Sequence, residues 1–105
     1  MYTITICGSM RFSNEMKAIA FILESKYGYN VLQCTYNEQN TEITLEMQEN
    51  LKKAHLEKIN MSDAIYVVDI NHYIGCSVKQ EIEYAEKRNI KVIFHSEETA
   101  PYTFT

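Results

Sequence analysis

The apolar run Ala64-Ile-Tyr-Val-Val-Asp-Ile70 limits the fold of this chain more than any other segment. It reads as a buried strand that ends at Asp69. A short loop turns at Gly75, and a helix opens near Ser77 with Glu81 in its first turns. A second apolar run, Lys91-Val-Ile-Phe94, follows that helix. A strand, a helix and a further strand in this order form a parallel crossover, which is right-handed. Strand ends and helix N-termini converge along one edge of such a sheet, and ligands of open α/β folds sit there. Glu81 is therefore the leading candidate for the centre of a site.

The first half of the chain repeats the pattern. Tyr2-Thr-Ile-Thr-Ile-Cys7 alternates β-branched residues and reads as a first strand. Gly8 to Phe12 forms the next loop, Ser13 caps the helix that follows, and Glu15 suits its dipole. Met16, Ile19, Ala20 and Leu23 share a face at i, i+3, i+4, i+7 spacing, Phe21 and Ile22 widen it, and Gly28 supplies the stop. A second strand is expected over Asn30 to Thr35, and a polar turn over Tyr36 to Thr41. A charged amphipathic helix runs from about Thr44 to Met61, with Met47, Leu51, Ala54 and His55 towards the sheet. The third helix covers roughly Ser77 to Asn89, and Ile90 to His95 is the last strand.

This β-α-β-α-β-α-β order gives a doubly wound, Rossmann- or flavodoxin-like parallel sheet in spatial order 2-1-3-4, with helices on both faces. Residues 1–95 make a single α/β domain. Ser96 to Thr105 is a tail whose Pro101 to Phe104 could fray or lie across a neighbouring subunit. The order reverses between the first and third strands. Two loops border that crevice, Gly8 to Phe12 and Asp69 to Ser77.

Composition narrows the partners. The 105 residues, 46% of them hydrophobic, suit one small domain, and a homodimer or higher homo-oligomer is a common way for such a domain to extend its core. A formal net charge of -4 argues against a nucleic acid polymer. A small anionic ligand is still accessible to a few N–H groups and one Arg. Cys7, Cys34 and Cys76 form no CxxC pair, and His55, His72 and His95 are too scattered in sequence to suggest a metal site. No metal or organic cofactor is expected. Reduced thiols, no leading signal segment and no apolar run near ~20 residues describe a soluble, cytoplasmic protein away from membranes.

Each candidate residue also has a plainer explanation. In the first loop Gly8 lets a ligand approach the backbone, Ser9 offers a hydroxyl, and Arg11 can grip a phosphate. An ordinary strand-to-helix turn with an exposed Arg uses the same residues. The loop is neither GxGxxG nor a Walker sequence, so it requires neither a dinucleotide nor ATP. Glu81 shares its helix with Glu83, Glu86, Lys79, Lys87 and Arg88, a mixture usual for a solvated face. Its place one turn inside a helix that starts at the crevice, behind Gly75 and Ser77, sets it apart. Asp69 either serves the site from the strand end or caps a turn. His55 either acts in catalysis or is a half-buried, hydrogen-bonded ring. Cys76, near a helix N-terminus, has a setting that favours thiolate but no adjacent base.

Taken together, Cys7-Gly-Ser-Met-Arg11 and Glu81-Ile-Glu-Tyr-Ala85 resemble the nucleoside 2-deoxyribosyltransferase superfamily, and within it the 2'-deoxynucleoside 5'-phosphate N-hydrolases. The first block is similar to the family's Cys-Gly-Ser-Ile-Arg. The second is similar to Gly-Thr-x-x-Glu-Ile-Gly-Tyr-Ala followed by Lys-Pro-Val-Ile, with Ile90-Lys91-Val92-Ile93 in the later position. The resemblance covers most of the chain in order of elements, and these two motifs are its specific part.

That resemblance implies that Glu81 attacks the anomeric carbon of a small nucleoside or nucleotide and displaces the base, with water or a second base resolving the glycosyl-enzyme. It further implies that Ser9 and Arg11 surround a 5'-phosphate with Ser77 as an extra donor, and that dimers complete the pocket. The chain carries His55 where the family often has Asp, Thr5 where a Tyr is common, and two more residues between Gly75 and Glu81. His55 or Asp69 would then supply the general acid. The alternative is a catalytically inactive nucleotide-binding or sequestering module of the same fold. A third reading is a domain used for protein contacts.

Overall fold

All five residues of the strand Ala64–Val68 are buried, because helices cover both faces of the sheet at its centre. A computed structural model of the chain describes residues 1–98. Its strands are β1 (Thr3–Gly8), β2 (Asn30–Leu32), β3 (Ala64–Val68) and β4 (Lys91–Phe94), and its helices are α1 (Ser13–Ser25), α2 (Leu45–Asn60) and α3 (Cys76–Lys87). The strands form one parallel sheet in the order β2-β1-β3-β4. This is the doubly wound α/β arrangement expected from the order of elements.

Alternation along the strands divides the core into two layers. Ile4, Ile6, Ala64, Tyr66 and Val68 pack against Met16, Ile19, Ala20 and Leu23 of α1. Cys7, Ile65 and Val67 face the other way, onto Ile59 of α2 and Val78 and Ala85 of α3. Thr5 shares the face of Cys7 and is fully buried. Its hydroxyl is satisfied by Lys58 O at 3.1 Å and Ser62 Oγ at 2.6 Å, which ties β1 to the end of α2.

Several boundaries differ from the sequence expectation. Ser13 is the first residue of α1 rather than its cap. The capping hydroxyl belongs to Ser9, which accepts from Arg11 N across the short 3-10 turn Met10–Phe12. Gly28 does end the α1 unit, at φ +72, a conformation that strains other residues. β2 stops at Leu32, after which Cys34 and Thr35 turn to line a cavity instead of extending the sheet. Thr44 caps α2 by accepting from Met47 N at 3.1 Å. Only the C-terminal half of α2 reaches the sheet, through Leu56 and Ile59. Met47 and Leu51, both expected to face inwards, are each 39% exposed, and Ala54 is exposed as well.

The end of β3 is secured by Asp69. The carboxylate is 3% exposed and accepts from Ser96 N at 2.8 Å and Ser96 Oγ at 2.7 Å. Those bonds hold the turn His95–Glu97, so the chain is still anchored where a tail was expected to begin. His95 in that turn is half-buried, with Nδ1 2.7 Å from Tyr66 Oη. Pro101 to Phe104, the expected contact segment, lies outside the described residues. Asp69→Ala is expected to lower the unfolding free energy by about 2–3 kcal/mol, because two bonds to a buried carboxylate are lost. Urea denaturation measures this, and an unchanged midpoint would contradict the anchoring role.

Candidate functional site

The β1–β3 pairing runs from Ile4↔Ala64 to Gly8↔Val68, so both strands end level at the crevice where the order reverses. The chain turns there at Gly8. A Cβ at this position would lie 3.0 Å from Met16 Sδ and 3.3 Å from the Val68 carbonyl oxygen, so a larger residue would have to push Met16 aside. Beside Gly8 opens a cavity of about 1020 Å³, at the upper end of the range for small-molecule sites. Its walls come from the β1 end, the segment after β2, the inner side of α2 and the start of α3. Ile43, Leu45, Leu51 and Leu56 make them largely apolar, and Gly8, His55, Ser77 and Glu81 all contribute.

Glu81 sits where α3 faces α2. Val78, Ile82 and Ala85 turn α3 onto the sheet, which leaves Glu81 beside this apolar stripe and angled into the cavity. Its Oε1 is 3.3 Å from His55 Nε2, and the two side chains are only 17% and 13% exposed. The pair becomes an ion pair when the ring is protonated. His55 Nε2 also lies 3.6 Å from Cys7 Sγ. Residues from β1, α2 and α3 thus meet in one cluster. His55 Nδ1 is buried with no hydrogen-bond partner among the described residues.

The electrostatics around Cys7 follow from its burial. Desolvation pushes the thiol well above its ordinary value, and the charge of Glu81 adds to the effect. Burial also raises Cys34 and, with help from Cys34, the Tyr36 phenol. Cys7 is therefore held as a thiol rather than a thiolate, unlike the reactive cysteines of electropositive sites.

Other expected site residues stand apart from the cavity. Asp69 has both oxygens engaged by Ser96. Ser9 caps its own turn. Arg11 is exposed, with its guanidinium 4.0 Å from the centre of the Tyr73 ring. Gly75 is the N-cap residue of α3, and a Cβ there would meet Tyr73 only at ordinary contact distance. Cys76 is exposed, and His72 is exposed at φ 63. The residue that sequence reasoning passed over is Cys7. It is 48 positions from His55, so no local motif joins them. Strand parity was the available signal, since it places Cys7 on the same face as Thr5 and Val67.

No family model matches the chain, and no curated protein matches it. Among solved structures it is similar to a conserved protein from Enterococcus faecalis V583, with a TM-score of 0.62 and 17% sequence identity over 95% of this chain and 69% of the other. That likeness supports the doubly wound fold. Among the described residues no helix is long and apolar enough to cross a membrane.

The raised thiol makes a pH prediction. Below the unfolded thiol value of about 8.5, Cys7 is protonated in both states and contributes a constant stabilisation. Above it, the unfolded chain loses a proton that the folded chain keeps, so stability falls by about 1.4 kcal/mol per pH unit for each such group until the folded thiol ionises. Urea unfolding from about pH 8 to 10 should show this decline, less steep in Cys7→Ala. An identical slope in the variant would contradict a buried, protonated Cys7.

Proposed function

We propose that the chain cleaves the N-glycosidic bond of a small nucleoside or nucleoside 5'-monophosphate, by hydrolysis in preference to transfer, with Glu81 as nucleophile. The observation that carries this reading is the position of the Glu81 carboxylate, beside His55 in the wall of a largely apolar cavity at the strand-order reversal. The resemblance of Cys7 to Arg11 and of Glu81 to Ala85 to the deoxyribosyltransferase superfamily supplies the substrate class.

In this mechanism a Glu81 oxygen attacks C1' as the C1'–N bond breaks. The base departs with the bond's electron pair and takes a proton from solvent, and positive charge builds on the sugar. A carboxylate in an apolar wall stabilises that charge more than it would in water. Water then attacks C1' of the glycosyl ester and returns a proton to solvent, which frees the sugar and restores Glu81. His55 Nε2, 3.3 Å from Glu81 Oε1, holds the carboxylate in place for the attack. Asp69, with both oxygens engaged by Ser96, is assigned to the fold and not to proton transfer. Ser77 lines the cavity and offers a ligand its hydroxyl. Arg11 follows Met10, which also lines it, and reaches a 5'-phosphate by leaving the Tyr73 ring. A homodimer would cover the exposed apolar side chains at the start of α2, in the reducing cytoplasm that suits three free cysteines.

Glu81→Ala should reduce base release by on the order of a thousandfold or more while leaving the fold intact. Chromatography of free base over a panel of nucleosides and their 5'-monophosphates measures this, and full activity in the variant would remove the mechanism. Arg11→Ala should raise KM for the monophosphates by about tenfold or more, one lost charge-assisted contact, and leave the nucleosides unaffected. Equal weakening of both classes would refute the phosphate role. The engagement of Glu81 by His55 favours a second reading, a binding module without turnover. Ligand-dependent thermal stabilisation with no base release would establish that reading instead.

A further inference from the structure

Cys7 Sγ, His55 Nε2 and a Glu81 carboxylate oxygen all lie within 4.8 Å of one another. They project from β1, α2 and α3, so the packing of three elements sets their spacing. Sγ and Nε2 are 3.6 Å apart, and Nε2 and Oε1 are 3.3 Å apart. Around a tetrahedral zinc ion, bond lengths of about 2.3 Å to sulfur and about 2.05 Å to nitrogen or oxygen place S and N about 3.6 Å apart and N and O about 3.3 Å apart. Two edges of the cluster therefore match a zinc tetrahedron. The third closes by at most about 1.2 Å to reach the same figure, a distance that rotation of the Glu81 side chain covers.

The geometry points to a site for a borderline-soft divalent cation, best fitted by Zn²⁺, held by Cys7 Sγ, His55 Nε2 and Glu81 Oε1. Its fourth position opens to the cavity that His55 and Glu81 line. The mixed sulfur, nitrogen and oxygen donors select against Mg²⁺ and Ca²⁺, which take oxygen ligands. Three protein ligands with one open position is the pattern of accessible rather than purely structural zinc sites. On loading, the Cys7 S–H bond breaks, a Zn–S bond forms and the proton passes to solvent, with no change of oxidation state. The cation also occupies the Glu81 oxygen that would attack carbon, so the loaded protein is silenced as a glycosidase. The site itself does not depend on that activity, because its occupancy is read directly.

The test is titration of the full chain with Co²⁺ and then Zn²⁺. Wild type should develop a thiolate-to-cobalt charge-transfer band with the visible absorption of a tetrahedral ion, both bleached by equimolar Zn²⁺. Competition with a chromophoric chelator should show Zn²⁺ affinity falling by on the order of a hundredfold in Cys7→Ser, His55→Ala and Glu81→Gln. Cys34→Ala and Cys76→Ala should keep the band. Should Cys7→Ser fail to fold by circular dichroism, Glu81→Gln, at the cavity wall, carries the test. No equimolar Zn²⁺ binding by wild type, or a band lost in Cys76→Ala and kept in Cys7→Ser, would overturn the proposal. Absent Zn²⁺ binding with base release intact defeats this inference alone. Zn²⁺ binding by a protein whose zinc-free form releases no base leaves it standing and removes the glycosidase.

Discussion

The parallel pairing of β1 with β3 is the constraint on which the other features depend. Its register, Ile4↔Ala64 to Gly8↔Val68, brings both strands to an end at the same level. It also puts alternate side chains of both strands on common faces, one for α1 and one shared by α2 and α3. A slip of one residue would turn Ile4 and Ile6 away from α1 and carry Cys7 away from His55. A side chain at Gly8 would crowd Met16 and the Val68 carbonyl at the base of that crevice.

From this register the site follows with few further choices. Parity directs Cys7 towards α2, and the bonds from Thr5 to Lys58 and Ser62 fix the end of α2 against β1. Ile59 is the one fully buried residue of that helix, so its N-terminal half reaches beyond the sheet and becomes a cavity wall. Val78, Ile82 and Ala85 seat α3 and set Glu81 against His55. A buried thiol, an imidazole and a carboxylate then share a small volume, which raises the thiol's proton affinity and gives the cluster its metal-like spacing.

The architecture was legible because it rests on long apolar runs. Ala64 to Val68 has no charged residue, and α1 shows its four core positions at unbroken helical spacing. Glu81 and His55 were legible as candidates because local signals, a helix opening after a loop and an apolar face, mark their neighbourhoods. Their contact was not, because it is a distance between elements, and for Cys7 strand parity gave the face but not the partner on it. Met47, Leu51 and Ala54 misled for a related reason: helical periodicity gives a face but not what lies opposite it, here a cavity for Leu51 and Ala54 and exposure for Met47. Asp69 looked like a site residue from its place at a strand end, and only the fold could reveal Ser96 as its partner.

In the proposed reaction Glu81 becomes covalently joined to the sugar. Acid-quenching the protein in the presence of a nucleotide or nucleoside that it cleaves, followed by proteolysis and mass spectrometry, reads that bond. The expected product is a peptide from α3 heavier by one sugar or sugar-phosphate unit, with the addition mapped to Glu81 and absent from Glu81→Ala. Base release with no such adduct, or an adduct on a different side chain, would contradict it.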